Sequence, residues 1–485
     1  MFKAICVFFN NIYRPGGRSL LQTKCKKYVT SMNYLLMKAK IIKICLIVML
    51  ALLAMQAKGQ TTNDSLFSLK DCILLSFANN CKLKQTQLET KKSLYKLKET
   101  VGAGLPKVVA MASLDDYFDI PVSMVSGEIL GQSGTMVPIQ LGTKYNANIG
   151  VQVGQMIYDA SYFASIQLFK KACEISDLNI EQNKEDLAYN IAYLYFFVQV
   201  SALQVALLDS NIVALKKVYG YSEQHYKSGL ILKTDLDRVS VAINNLESER
   251  DNLLLKHDQQ LNMMKYIIGV GQNQQLCLYR NIGTLDLPLT NKDITFKNQV
   301  EVKLLENRKE LANINMKMTK AVAIPSLSGY AGYSNQAPVE EIRSIGSKEN
   351  WYTTSYVGVK LTVPIFEGNR VRNKVQQCNI ELEQIKAQQL DLQSELDERL
   401  KSALQKLNAN SMLESKLKVN MDLADRIFKV INEQYHTGLK SFTDVLNAQS
   451  EYNTAHLLWL NSLLEKELSK LNIMKTSGTI NLLFI

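Results

Sequence analysis

Two stretches of this chain exclude glycine and proline for longer than any globular core is wide. Residues 155–219 (65 in a row) and 369–437 (69 in a row) contain neither. Each is followed by a glycine-bearing segment and then a second Gly/Pro-free run of 39 residues, 230–268 and 439–477. Glycine and proline are the residues that break helices, so these runs predict helices. At 1.5 Å per residue the long ones span roughly 100 Å and the short ones about 60 Å. Leu396, Leu400, Leu404, Leu407, Leu413, Leu417, Met421, Ala424, Phe428 and Ile431 recur at spacings of three, four or six, which is an apolar stripe on one helix face. Helices so long with so narrow a stripe must pair lengthwise as coiled coils.

The pattern occurs twice. Ile149-Gly150-Val151-Gln152-Val153 matches Val357-Gly358-Val359-Lys360-Leu361, and Ile157-Tyr158-Asp159 matches Ile365-Phe366-Glu367 at the same offset. Further on, Tyr226, Gly229, Leu230, Thr234 and Asp235 match Tyr435, Gly438, Leu439, Thr443 and Asp444, and Gly269 matches Gly478, with one residue of drift. Heptad similarity alone would not keep the glycines in place, so the chain is a duplicated unit. The expected boundaries are 1–59 for a leader, 60–289 for the first repeat and 290–485 for the second. Each repeat reads as an N-terminal helix (Leu69–Val101, then Val300–Val322), two strands, a very long helix, a glycine turn and a return helix.

The strands have a period of two. Tyr145, Ala147, Ile149, Val151 and Val153 alternate with polar or small residues, as do Val357, Val359, Leu361 and Val363. Alternation gives one greasy face and one wet face, which suits a soluble sandwich or a transmembrane barrel. Two strands of about ten residues per half, an export leader and polar loops at 126–142 and 335–350 favour the barrel. Four strands cannot close one, and lipid does not tolerate open edges. Three copies would supply twelve strands, with the helical hairpins forming a tube beneath. The expected fold is therefore mainly α with a small β part: a trimeric, shared 12-stranded barrel continued by a coiled-coil tunnel.

Charge first suggests a different partner. A net charge of +11 and a pI near 9.0 invite nucleic-acid binding. Yet residues 1–59 hold ten Lys/Arg and no acid, leaving 46 basic and 45 acidic residues for 60–485. The basic excess belongs to a leader in which Lys38, Lys40 and Lys43 precede the 11-residue apolar run Ile44–Ala54 and Ala57-Lys58-Gly59. That is the layout of an export signal, shorter than a membrane-anchoring helix, with 1–31 reading as an upstream extension. Beyond it stand Cys72, Cys81, Cys173, Cys277 and Cys378, odd in number and without CxxC spacing, which argues against a zinc site or a disulfide framework. No GxSxG, HExxH, P-loop or GxGxxG motif follows the leader, and the histidines lack ligand spacing. No enzyme activity, metal, cofactor or nucleic-acid partner is expected.

Two motifs, each with a counterpart in the other repeat, carry a resemblance. One is the strand-to-helix joint Val359-Lys360-Leu361-Thr362-Val363-Pro364-Ile365-Phe366-Glu367-Gly368. The other is the hairpin tip Tyr435-His436-Thr437-Gly438-Leu439-Lys440-Ser441-Phe442-Thr443-Asp444-Val445-Leu446-Asn447-Ala448, with a weaker copy at Tyr226–Leu236. The chain resembles the TolC-like outer-membrane efflux family over roughly 66–476. The resemblance implies a homotrimer in outer-membrane lipid, with its tunnel in the periplasm. It further implies docking to a periplasmic adaptor (a membrane fusion protein) and export from an inner-membrane RND or ABC pump, in efflux or type I secretion. By motif, Asp444 falls at an acidic pore entrance, with Asn447 where the family often has a second acid. Tyr435 and Lys440 fall at gating positions with Thr234 and Asp235 as partners, Lys440 standing for an arginine. Gly229, Leu230, Gly438 and Leu439 form the tips that would meet an adaptor. Trp351, Tyr352 and Tyr356 are candidates for a membrane-interface belt. Read from the residues alone, Asp444 also fits a helix N-cap, and a secreted coiled-coil fibre or adhesin remains the alternative.

Overall fold

The computed structural model describes residues 66–484 apart from 127–130, 132–133, 135, 141, 280–281 and 288–295; the leader lies outside the described residues. The chain runs α1 (Leu69–Asn79), α2 (Cys81–Gly102), β1 (Lys107–Asp116), β2 (Val122–Ser126), β3 (Met136–Gln140), β4 (Tyr145–Tyr158), α3 (Ala160–Lys227) and α4 (Lys233–Ile268). It continues with α5 (Val300–Ala321), β5 (Ser326–Val339), β6 (Tyr352–Thr362), α6 (Arg370–His436) and α7 (Phe442–Thr476).

The two Gly/Pro-free runs are α3 and α6, of 68 and 67 residues. Helix α3 starts where Asp159 Oδ1 accepts from the Ser161 and Tyr162 amides, at 2.8 and 3.2 Å. It runs straight through Gly220, so a single glycine does not end a helix held by tertiary packing. The return helices end at Gly269 (φ 80°) and Gly478 (φ 69°), in the left-handed region that glycine adopts without strain. Both α3–α4 and α6–α7 are antiparallel hairpins. The stripe on α6 turns inward: Leu396 is buried, and Leu400, Leu404, Leu407, Leu417, Met421, Ala424, Phe428 and Ile431 are half-buried, whereas Leu413 is exposed.

The expected helix 69–101 is two helices. Asn80 leaves the helical region (φ −65°, ψ 121°); its Oδ1 caps α2 at the Leu83 amide (3.0 Å) and its Nδ2 donates to the Ile267 carbonyl (2.7 Å). The break locks the N-terminal segment onto the end of α4, where Cys72, Ile73, Ile191, Met264 and Ile268 form a buried cluster. A second cluster, Phe196, Val200, Leu460, Leu464 and Leu471, joins α3 to α7. Helix α3 is apolar and long enough to cross a membrane, but much of its apolar stretch is buried among neighbouring helices.

The strands form an antiparallel four-stranded sheet in the order β1-β4-β5-β6. The loops expected at 126–142 and 335–350 are shorter than foreseen. β2 and β3 make a separate hairpin from part of the first, and β5 extends to Val339 before two short 3₁₀ turns.

Candidate functional site

The sheet sorts its side chains by face. Paired residues in an antiparallel ladder point the same way, so the register assigns both faces. One bears Val108, Ala110, Ala112 and Leu114 of β1; Ala147, Ile149, Val151 and Val153 of β4; Ala331 and Tyr333 of β5; and Val357, Val359 and Leu361 of β6. The other bears Gln152, Asn148 and Asn146, then Ser328, Ser334 and Gln336, then Thr354 and Lys360; the exceptions are Val109 and Met111 on this face and Asn335, Thr353 and Ser355 on the first. The apolar face is open: Val357 is 85% exposed, Val359 67% and Leu361 64%. Among the described residues β1 and β6 have no further strand partner. A bare apolar face and two free edges are together intolerable for an isolated sheet.

The three aromatics expected at a membrane interface part company. Tyr352 and Tyr356 pair with Gln336 and Gly332, on the polar face, which does not fit a lipid-facing belt. The Tyr356 ring lies over Gly332 and the Tyr330 ring over Gly358, with the two rings 6.0 Å apart. Trp351 precedes β6, and its indole N–H donates to the Ile345 carbonyl at 2.9 Å, pinning the 3₁₀ turn.

The two hairpin tips have the same backbone. Gly229 (φ 74°) and Gly438 (φ 75°) sit in the left-handed region, and the Leu230 and Leu439 amides reach back to the His225 and Gln434 carbonyls at 2.8 and 2.9 Å. This is the glycine-terminated helix end, and it leaves Leu230 and Leu439 on the surface at 69% and 75% exposure. The return helices differ. Ser441 and Asp444 make a full capping box on α7: the Ser441 amide donates to Asp444 Oδ2 (3.0 Å) and the Asp444 amide to Ser441 Oγ (3.3 Å). The Ser441 hydroxyl, which donates to Asp444 Oδ2 at 2.8 Å, and then the Ser441 amide, with Lys440 adding a smaller attraction, hold the Asp444 carboxyl below its ordinary range. At the equivalent place α4 has Leu232 and no side-chain cap.

The tips meet through residues that the motif did not point to. The Tyr435 hydroxyl lies 3.2 Å from Ser222 Oγ on α3, and its ring packs edge-on against Phe442 at 5.9 Å. Arg238 on α4 lies 4.0 Å from Asp235 Oδ1 and reaches Thr443 Oγ1 of the other hairpin at 3.5 Å. Beside the expected links of Tyr435 and Lys440 to Thr234 and Asp235 stand two other contacts: Tyr435 meets Ser222, and Arg238 is a cation between the hairpins. Among the described residues Lys440 makes no ion pair within 4.0 Å, although its charge acts on Asp444, and Asn447 is exposed on α7. Arg238 could have been found as the i+3 neighbour of Asp235. Ser222, 213 positions from Tyr435, left no local signal.

Comparison with known proteins gives this arrangement its context. Residues 297–479 match the family model described as outer membrane efflux protein. The chain is 21% identical over 355 residues to outer membrane protein TolC of Escherichia coli K12, covering 70% of this chain and 71% of that one. It is 19% identical to TolC of Salmonella enteritidis, covering 68% and 69%. Among solved structures it superposes on CusC with a TM-score of 0.68 at 14% identity, over 84% of this chain and 91% of that one. It superposes on the Campylobacter jejuni CmeC outer membrane channel with a TM-score of 0.68 at 15% identity, over 87% and 90%. The fold is that of the outer-membrane channel structures it superposes on, and the matched family model describes efflux proteins. Residues 297–479 thus carry the pattern of the outer membrane efflux proteins, and most of the chain has the fold of outer-membrane channels such as CmeC.

Proposed function

We propose that three copies, each made of the repeats 60–289 and 290–485, close a twelve-stranded barrel through their β1 and β6 edges, and that their hairpins form the tunnel beneath. The single observation behind this reading is the open sheet whose exposed apolar face can be satisfied only by lipid and whose edges can be satisfied only by other strands. A second apolar row on α6 (Met412, Val419, Leu423, Ile427 and Val430) stays exposed beside the buried stripe and gives neighbouring copies a helical seam. The duct receives substrates from an inner-membrane RND or ABC pump through a periplasmic adaptor that docks at Gly229-Leu230 and Gly438-Leu439. Asp444, with Asn447 one turn on, lines the entrance. Tyr435 with Ser222, and Arg238 with Asp235 and Thr443, hold the tips together.

Membrane fractionation and planar-bilayer recording test this. The expected result is a heat-resistant trimer in the outer membrane that conducts ions. A soluble monomer without conductance would refute it.

A further inference from the structure

The four barrel strands carry only four charged side chains, and their placement is uneven. Lys107 opens β1 and Lys360 stands two residues before the end of β6, both at the end of the sheet that joins the helices. Asp115 and Asp116 close β1 at the opposite end. The register puts both lysines on the polar face: Lys107 pairs with Gly154 and Lys360 with Ser328, in line with Gln152, Tyr330 and Ser334. They line one cavity of about 440 Å³ together with Gln152, Tyr330, Ser328 and Asp159. Asp159 shares the cavity; its carboxylate is held against the start of α3, which it caps, accepting also from the Ser161 hydroxyl at 2.6 Å, and so leaves two cations to one anion.

Within one protomer the two lysines stand three strand spacings apart, roughly 14 Å. They lie, however, on the two edge strands. β1 runs away from the helices and β6 runs toward them, so β6 of one copy and β1 of the next meet antiparallel, as a barrel requires. That seam puts the Lys360 of one copy on the strand next to the Lys107 of its neighbour, both at the helix end of the sheet, closer than the pair within one protomer. Charges that near are little screened at physiological salt, where the Debye length is about 8 Å, so each seam carries a pair of neighbouring cations.

We propose that Lys107 and Lys360 form a cationic collar of three such pairs around the lumen where barrel meets tunnel, binding small multivalent anions, of which phosphate is the type, and disfavouring cations. This inference rests on the barrel reading and adds a selectivity site at the opposite end of the tunnel from Asp444. A cleft lined by one sign of charge concentrates counter-ions.

The test is ion selectivity of the purified trimer in phosphatidylcholine bilayers under a dilute KCl gradient. Replacing both lysines (Lys107→Gln with Lys360→Gln) should raise the cation-over-anion permeability ratio about threefold or more, with a larger change at lower salt. Millimolar dissolved phosphate should reduce the parent current and leave the double variant's untouched. Lys107→Arg with Lys360→Arg, which keeps both charges, should behave as the parent; if the glutamine pair fails to assemble, each single glutamine variant should move the ratio in the same direction by less. An unchanged ratio in conducting glutamine variants would overturn the collar while leaving the duct intact. A phosphate effect that follows the bilayer's anionic lipid content rather than dissolved phosphate would place headgroups on the lysines and overturn the lumenal assignment. Absence of conductance in the parent would overturn the duct reading itself.

Discussion

On the proposed reading of the tips, the contact between Tyr435 and Ser222 contributes a measurable closing force. Ser222 is fully buried and the two hydroxyls lie 3.2 Å apart. A neutral hydrogen bond of this kind contributes about 1 kcal/mol net. Tyr435→Phe removes the hydroxyl but keeps the ring that packs against Phe442. In a trimer whose tips open together, three such losses amount to about 3 kcal/mol, and 1.4 kcal/mol is a factor of ten. Open probability should therefore rise on the order of 100-fold, read as single-channel dwell times in planar bilayers. Ser222→Ala should act in the same direction, and the double variant should fall short of the sum of the two singles, since both remove the shared contact. A change below about threefold, or full additivity of the two substitutions, would show that this pair does not hold the closed tip.

Three further outcomes follow from the geometry. Asp444→Asn keeps an acceptor for the Ser441 amide but removes the charge, so block of the channel by multivalent cations should weaken; Asp444→Ala should in addition lose the capping box, at about 1 kcal/mol of helix stability by thermal melting. Gly332→Val inserts a branched side chain where the Tyr356 ring lies, and should lower the heat resistance of the trimer on gels by a strain of about 1–3 kcal/mol per copy. Glu185 is pushed up from 4.5 to about 7, first by burial and then by Glu181 and Asp186, so the folded state holds its proton more tightly than the unfolded chain. Its contribution is most favourable below pH 4.5 and is lost as pH rises to about 7. Glu185→Gln should thus raise the melting temperature more at pH 8 than at pH 4.5; an equal shift at both would refute the assignment.

What the sequence discloses here is whatever has a period or a required backbone angle. Residues 369–437 read as a helix because nothing in them breaks one, and α6 follows that run within a residue at either end. Gly229 and Gly438 were legible because the left-handed turn needs glycine. The kink at Asn80 was not, because asparagine is tolerated in helices and the cause is a carbonyl 187 residues away. The contact of Ser222 with Tyr435 is illegible for the same reason: both residues are unremarkable until two hairpins cross. Tyr356 shows a third limit. Its aromatic character suggested lipid, but its parity in the strand, set against Val357 and Val359, already placed it on the polar face.

The hairpins are also held by something that a coiled-coil stripe does not contain. Helix α3 meets α7 through side-chain hydrogen bonds: Tyr189 to Asn472 at 2.6 Å, Gln204 to Asn461 at 2.9 Å, and Asn211 to Asn453, with Gln449 donating to the same Asn453 oxygen at 3.4 Å. Positions rise on α3 as they fall on α7, so the pairs fix one antiparallel register. Leucine at Asn211, Gln449 and Asn453 would bury more apolar area, and an apolar seam accepts neighbouring registers almost equally well. Buried amides do not, because a slip of one turn leaves each without its partner in a dry interface, at about 1–3 kcal/mol per group. A tube of roughly 100 Å needs this discrimination. A one-turn slip at the tip, 5.4 Å, would carry Tyr435 out of reach of Ser222. The amide pairs along the shaft therefore keep the closing contact at the tip available.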